Sequence, residues 1–311
     1  MPTTNRSLIK KADLALANLV SDGGLLLPAQ AKSFIRLLIK QGVMLSMARV
    51  IPMASFKQQI NKVRFQNRVL RAGSENTALA AADRVKPDFT DVELDAKKFM
   101  AEIHLNNEVL EDNLERGQLS TTVMELLTEA ITRDIDEVVI EGDTASADTF
   151  LKSFDGLIKQ ASSNTHAAGG VPLTKDVLRD TIKTLPKEWL RRKSQMRFLT
   201  GTDAVLDYQD HLSNRQTPLG DINMRQDEVP LYSGIPVIDV PMMPEDLGGG
   251  NETDLLFLDP KNIVVGFWRQ IRFETDKDIR AGHMIVVATM RFDVKYEEEL
   301  AVVKTTGITV S

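Results

Sequence analysis

The sequence contains no cysteine, which excludes disulfides, thiolate metal sites and cysteine nucleophiles and fits a reducing compartment. No apolar run approaches the roughly 18 to 20 residues that a bilayer span requires. The start, Met1 to Lys11, lacks the apolar core of a secretory signal, so we expect a protein made and used in a cytosol-like compartment. Histidine is scarce, at positions 104, 166, 211 and 283; His104 has no second histidine at ligand spacing, and His283 follows the turn residue Gly282. Aromatic residues make up only 5%.

What is present describes a well-filled globular chain. At 311 residues, with 42% hydrophobic and 26% charged residues, it is long enough for one large or two intimately joined α/β domains. An amphipathic pattern in Leu8, Leu14, Leu16, Leu19 and Val20 reads as an arm; Gly23-Gly24 breaks it, and Ala29 to Gln41 forms a second amphipathic stretch. Ser55 to Leu105 alternates with period two, predicting two long strands around a small, polar, mobile tip, Arg71 to Pro87. After Lys97-Lys98 the apolar phase flips to Phe99, Ala101, Ile103 and Leu105, as at a bulge or bend. Ser120 to Glu141 has the spacing of the longest helix, about 33 Å, and Gly142 ends it.

Ser162 to Gly170 reads as a flexible linker. Beyond it the pattern predicts a second α/β unit: helix Lys175 to Leu185, strand Met196 to Thr200, helix Asp203 to Leu212, and strands near Val237, Leu255 and Ile263. Ser213 to Ser233 and Pro241 to Asn251 are loops by composition. His283 to Lys295 and then Leu300 to Val303 return to strand chemistry, and we expect pairing with Phe99 to Leu105.

Charge is unevenly distributed. Between Phe56 and Arg71 stand Lys57, Lys62, Arg64, Arg68 and Arg71 with no acid, a local charge of +5. Between Asn107 and Asp148 twelve acids face two arginines, a local charge of -10. A charge run is most often a solvated face. On a projecting ribbon, however, opposite charges on two parts of one chain make a heterologous pair that builds rings or sheets head to tail. We therefore expect Lys57, Lys62, Arg64, Arg68 and Arg71 to meet Glu125, Glu129, Asp136 and Glu137 of another copy. Each such exposed pair is worth about 0 to 1 kcal/mol, which suits reversible, multivalent assembly.

Catalysis finds no support in the spacings. Asp134-Ile-Asp136-Glu137 diverges around a helix and makes no metal site. Ser153, Ser162 and Ser163 lack a nucleophile elbow, and Gly248-Gly249-Gly250 lacks the lysine and context of a phosphate loop. A nucleic-acid-binding module is disfavoured too: the net charge is -6, and the basic run has no stacking rings beyond Phe56 and Phe65.

The order of short segments carries a resemblance. These are Asp22-Gly-Gly-Leu-Leu-Leu-Pro28, the long hairpin, Asn107-Glu-Val-Leu-Glu-Asp112, Phe154-Asp-Gly-Leu157 and Tyr232-Ser-Gly-Ile-Pro-Val237. Leu256-Phe-Leu-Asp-Pro-Lys-Asn262 through Arg269 to Asp278 follows, closed by Met290-Arg-Phe-Asp293. Together they resemble the major capsid proteins of tailed bacteriophages with the Hong Kong 97 fold, over nearly the whole chain. The resemblance implies an α+β capsid fold. Its expected parts are an N-terminal arm (1–28), a peripheral domain (29–54, 99–169 with the spine helix, and return strands 283–311), an extended loop (55–98) and an axial domain (170–282).

It also implies a structural subunit, not an enzyme, that self-assembles into hexamers and pentamers of an icosahedral head around double-stranded DNA. Implied partners are other copies, a scaffolding protein, a portal, decoration proteins and DNA touched non-specifically on the inner face; no cofactor, metal or membrane is expected. The expected location is the virion, after assembly in the host bacterial cytoplasm. Some members carry a cleaved scaffolding extension of about a hundred residues; only some twenty precede the shell-type sequence here, so a separate scaffold is expected. Lys57 and Lys62 lie in the extended loop, but no residue context marks an asparagine partner, and no covalent cross-link is expected. The runner-up is an encapsulin-type compartment shell of similar fold.

Overall fold

The computed structural model describes residues 42–65, 68–72, 78–106, 119–213, 229–247, 249–278, 280 and 282–310. The expected arm, the helix at 29–41 and the segment 107–112 lie outside them. Among the described residues the chain builds two sheets and a separate ribbon. The first sheet has four strands in the order β1 (Arg49–Pro52), β10 (Ile263–Asp278), β11 (His283–Tyr296), β4 (Lys97–Asn106). β11 lies antiparallel between β10 and β4, while the short β1 runs parallel to β10. The expected pairing of the late strand with Phe99 to Leu105 is present, with Met290 opposite Phe99.

Apolar positions explain what covers this sheet. Helix α2 (Leu119–Glu141) turns Leu127, Ile131, Ile135, Val138 and Val139 inward at three- and four-residue spacing. They pack on Val265, Met284, Val286, Ala288, Phe292 and Val294, and burying a side chain of this size is worth about 1.5–3 kcal/mol. The helix stops where two glycines cross. Gly142 O accepts Gly156 N–H at 2.7 Å, and a Cβ on Gly156 would lie 2.6 Å from Gly142 N. The crossing seats Phe154 edge-on to Phe292, and Phe292 stacks on Phe99 at 4.6 Å. Helix α1 (Val43–Met47) packs on the same core with Met44 and Leu45.

The second sheet has six strands in the order β5 (Thr165–Val171), β12 (Val303–Thr309), β9 (Glu252–Leu258), β6 (Arg197–Thr200), β8 (Ile235–Asp239), β7 (Leu231–Tyr232). Helices α4 (Lys175–Thr184) and α5 (Thr202–Ser213) contribute Val177, Leu178, Ala204, Val205 and Tyr208 to a core with Phe198, Phe257 and Ile308. Ser233 and Gly234, both at positive φ, turn β7 into β8 as a tight hairpin that suits the strand twist. A four-residue helix, α3 (Leu157–Gln160), links the two sheets, its Leu157 carbonyl accepting the Tyr296 hydroxyl at 3.0 Å.

Three sequence expectations change. The stretch read as a flexible linker is strand β5, held parallel to β12 and tied by Asn164 Nδ2 to the carbonyls of Leu300 and Val302. The strand expected at Leu300 to Val303 starts only at Val303, after a 3-10 turn at Glu299–Ala301. Sheet membership also departs from the boundary set at residue 282. β10, counted with 170–282, joins the four-stranded sheet, and β12, counted with 283–311, lies inside the six-stranded one. Periodicity identifies a strand but not its partner, because pairing is decided by distant residues.

Candidate assembly surface

β2 (Lys57–Arg64) and β3 (Asp88–Asp95) form an eight-pair antiparallel ribbon, Lys57 opposite Asp95 and Arg64 opposite Asp88. At its base the ribbon is locked to the first sheet. Leu94 is fully buried with Met53, Ala96 and Val264, and Ile60 packs beside them. Asp293, itself buried, accepts the Asp95 N–H at 2.7 Å and the Val294 N–H at 2.9 Å. Burial pushes its carboxyl above the usual range while those two amides hold it down. Gly266 makes room for this packing, since a Cβ would come within 2.7 Å of Met53 Sδ and 2.9 Å of Leu94 Cδ1, and those side chains would have to shift. β3 ends at Asp95, Ala96 donates its N–H to the Phe56 carbonyl at 2.9 Å, and the chain continues as β4 from Lys97, where the sequence predicts the phase flip.

The five cations are distributed differently from the expectation. Lys57 pairs across the ribbon with Glu93 at 2.8 Å, which raises its pKa. Lys62 reaches Glu298 at 3.5 Å. Arg64 reaches Glu188 at 2.7 Å, lies 3.8 Å from Glu298 and sits over the Trp189 ring at 5.0 Å. Glu298 is on a fixed turn, because Asn262 exchanges two 2.8 Å hydrogen bonds with its backbone. Arg71 lies 3.6 Å from Asp83 within the tip. Four of the five therefore already have a carboxylate in their own chain, and the inner face of the ribbon rests on its own body. Arg68 is exposed with no carboxylate among the described residues.

The acidic side also sorts itself. Asp136 is buried, accepts the Val43 N–H at 2.9 Å and faces the amides of Met44 and Leu45, so it caps α1. It cannot be the surface contact that its charge suggested; burial raises its pKa against those amides. Glu129 is exposed and Glu137 half-buried, while the Glu125 side chain lies outside the described residues. Glu141, half-buried near Glu137 and Asp246, has its pKa pushed up to about 7, first by burial and then by those two charges.

What composition missed is apolar. On the outward face of the ribbon the cross-strand pair Val63 and Phe89 is 60% and 71% exposed, and Phe65, Val69, Leu70 and Leu79 continue the exposed patch into the tip. The signal is present in the alternation: period two puts Val63 and Phe65 opposite to Ile60's face. Scattered exposed apolar residues are ordinary; six on one projection form the kind of patch that marks interaction sites. On the body, a cleft between α2 and β4 is lined by Met100, Ile131, Asp134, Val138 and Phe150, with Met100 largely exposed. No group of histidine and carboxylate ligands suited to a metal occurs among the described residues. His104 instead stacks on His283 and bonds Glu102 at 2.7 Å. No helix among the described residues is long and apolar enough to cross a membrane.

Residues 23–307 match the Phage capsid family. The prophage capsid protein YqbE of Bacillus subtilis (strain 168) is 36% identical over 305 residues, covering 96% of this chain and 97% of that one. Among solved structures, a chain of the satellite phage P4 procapsid that includes the size determination (Sid) protein superposes with a TM-score of 0.69 at 12% identity, covering 100% and 99%. The holo-SrpI encapsulin complex of Synechococcus elongatus PCC 7942 gives a TM-score of 0.59 at 11% identity, covering 85% and 86%. At those identities the structural likenesses speak for the fold alone, and the sequence match separates the two readings.

Proposed function

This chain belongs to the phage capsid family and is a structural, non-enzymatic shell subunit of a phage head with the α+β capsid fold; from that premise we propose that its ribbon and its long helix are two halves of one repeated contact. The outward tip, Val63, Phe65 and Phe89, rests in the cleft between α2 and β4 of the next copy. Arg68 steers it toward Glu129 and Glu137. The observation that carries this is the contrast across the ribbon: an inner face finished by its own chain and an outer face that turns from polar to apolar at its tip end, Val63 and Phe89.

In this reading the apolar tip supplies most of the contact energy and charge supplies orientation, since exposed ion pairs contribute little. Lys57, Lys62, Arg64 and Arg71 hold the ribbon in shape, and Glu125 stands with Glu129 on the receiving helix. Copies close into hexamers and pentamers of an icosahedral head around double-stranded DNA. The four-stranded sheet with α2 forms the peripheral domain and the six-stranded sheet the axial domain, with 1–28 as an arm. A scaffolding protein, a portal and decoration proteins complete the particle, assembled in the host bacterial cytoplasm.

Electron microscopy of the expressed chain tests the proposal. Closed hollow shells are expected, and Phe89→Ser with Val63→Ser is expected to leave folded subunits that do not close. A discrete small oligomer at all concentrations would overturn the shell; normal shells from the double variant would overturn the ribbon-to-cleft docking.

A further inference from the structure

The second sheet carries a charge feature that the ribbon docking does not use. Between α4 and β6 runs Lys187-Glu-Trp-Leu-Arg-Arg-Lys-Ser-Gln-Met-Arg197, which includes a 3-10 turn at Trp189–Gln195 with Arg192 out of helical geometry. Five of its eleven residues are cations and one is an acid. That acid, Glu188, is already taken by Arg64 at 2.7 Å. None of the five cations meets a carboxylate among the described residues. Lys193 Nζ donates to Ser233 Oγ, and Arg197 donates to the carbonyls of Ser194 and Met196. Lys187, Arg191 and Arg192 are exposed with no partner among the described residues.

The neighbouring helix is better balanced: of the three cations on α4, Arg179 and Lys183 are paired with Asp176 and Asp180 at 2.7–3.3 Å, and Lys175 alone meets no carboxylate among the described residues. The apolar residues of the basic segment point the other way: Trp189 and Leu190 pack against the second core and Met196 is buried. Its exposed surface is thus cationic and polar with no apolar centre. A stable protein interface needs a desolvated apolar core in which charges are depleted. A phosphodiester backbone asks only for exposed, unneutralised Lys and Arg, and is met without regard to sequence.

We infer that Lys187, Arg191 and Arg192 are the residues through which each shell subunit touches the backbone of enclosed duplex DNA. The inference rests on the shell reading and adds residues to it. Spread over many copies, an engagement of three phosphates per subunit is weak singly and summed by repetition, and it is screened by salt.

The test is binding of the full-length unassembled subunit to a short fluorescent duplex of arbitrary sequence across a salt series. The wild type is expected to bind with a salt-dependent affinity. The triple variant Lys187→Gln, Arg191→Gln, Arg192→Gln is expected to bind roughly tenfold or more weaker, its log–log salt slope shallower by about 2 to 3, at about 0.9 for each phosphate no longer neutralised. Arg179→Gln with Lys183→Gln, which removes paired cations, is expected to leave the slope unchanged, and matched thermal unfolding confirms that each variant folds.

Absence of salt-dependent binding by the wild type, or an unchanged slope in the triple variant, would overturn the inference. So would a triple variant that binds DNA normally but no longer closes shells, which would make the segment a protein interface. Microscopy of wild-type shells, scored separately, shows whether the shell reading itself has failed.

Discussion

The base and the tip of the ribbon are built from the same two strands with the same alternation, yet one is finished and the other is not. At the base, Leu94, Ile60 and the Asp293 carboxylate fasten the inward face to the first sheet. At the tip, Val63 and Phe89 pair across the strands and then face solvent. The difference teaches that charge, the loudest signal in this stretch of sequence, mostly shapes the subunit itself, and that the residues the proposed docking assigns to a neighbour are the quieter apolar ones. Substitutions at the base should therefore read out in the stability of the subunit, and substitutions at the tip in assembly.

The largest effect is expected beneath the base. Phe292→Ala empties the centre of the Phe99, Phe154 and Phe267 cluster and should cost about 3–5 kcal/mol in denaturant unfolding of the unassembled subunit. Asp293→Ala should follow, at about 1–3 kcal/mol, because it strands the amides of Asp95 and Val294; Asp293→Asn keeps an acceptor and should lose less. A loss at Asp293 as small as that at the tip would erase the distinction.

Glu141 offers a finer probe on the body side. Its folded pKa of about 7 lies above its unfolded value, so the folded state binds more protons between the two. Stability is full below about pH 4.5 and falls as pH rises toward 7. Glu141→Gln should flatten that decline in pH-dependent thermal unfolding, by roughly 1 kcal/mol once its partial exposure is allowed for. The smallest change in subunit stability belongs to the tip: Phe89→Ser should shift unfolding by no more than about 0.5 kcal/mol, while abolishing shell closure. A large destabilisation there would mean that the tip is covered by its own molecule.

Much of this is legible in the sequence, because it is local. Long-helix spacing, the Gly142 stop, the phase flip beside Lys97 and each short motif are written in residues close together along the chain. What escapes a sequence reading depends on partners far apart along the chain. Asp136 sits on the helix with an acidic run but is spent on Val43, 93 residues away. Arg64 finds Glu188 across 124 residues. β10 and β12 exchange the sheets that chain order would give them, since strand chemistry names no partner. Asp293 closes a recognisable motif, yet only its 2.7 Å bond to the Asp95 amide shows that it fastens the ribbon.

The placement of β12 bears on how the protein is made. This strand lies inside the second sheet, between β5 and β9, although more than a hundred residues of chain separate it from β5. A ribosome must therefore deliver residues 303–309 before that sheet can be completed, which makes folding a largely post-translational event for this half of the molecule. Prematurely terminated chains would leave a gap between two strands that cannot pair with each other at that distance, so a growing particle would be supplied only by translation products that have run at least to Thr309.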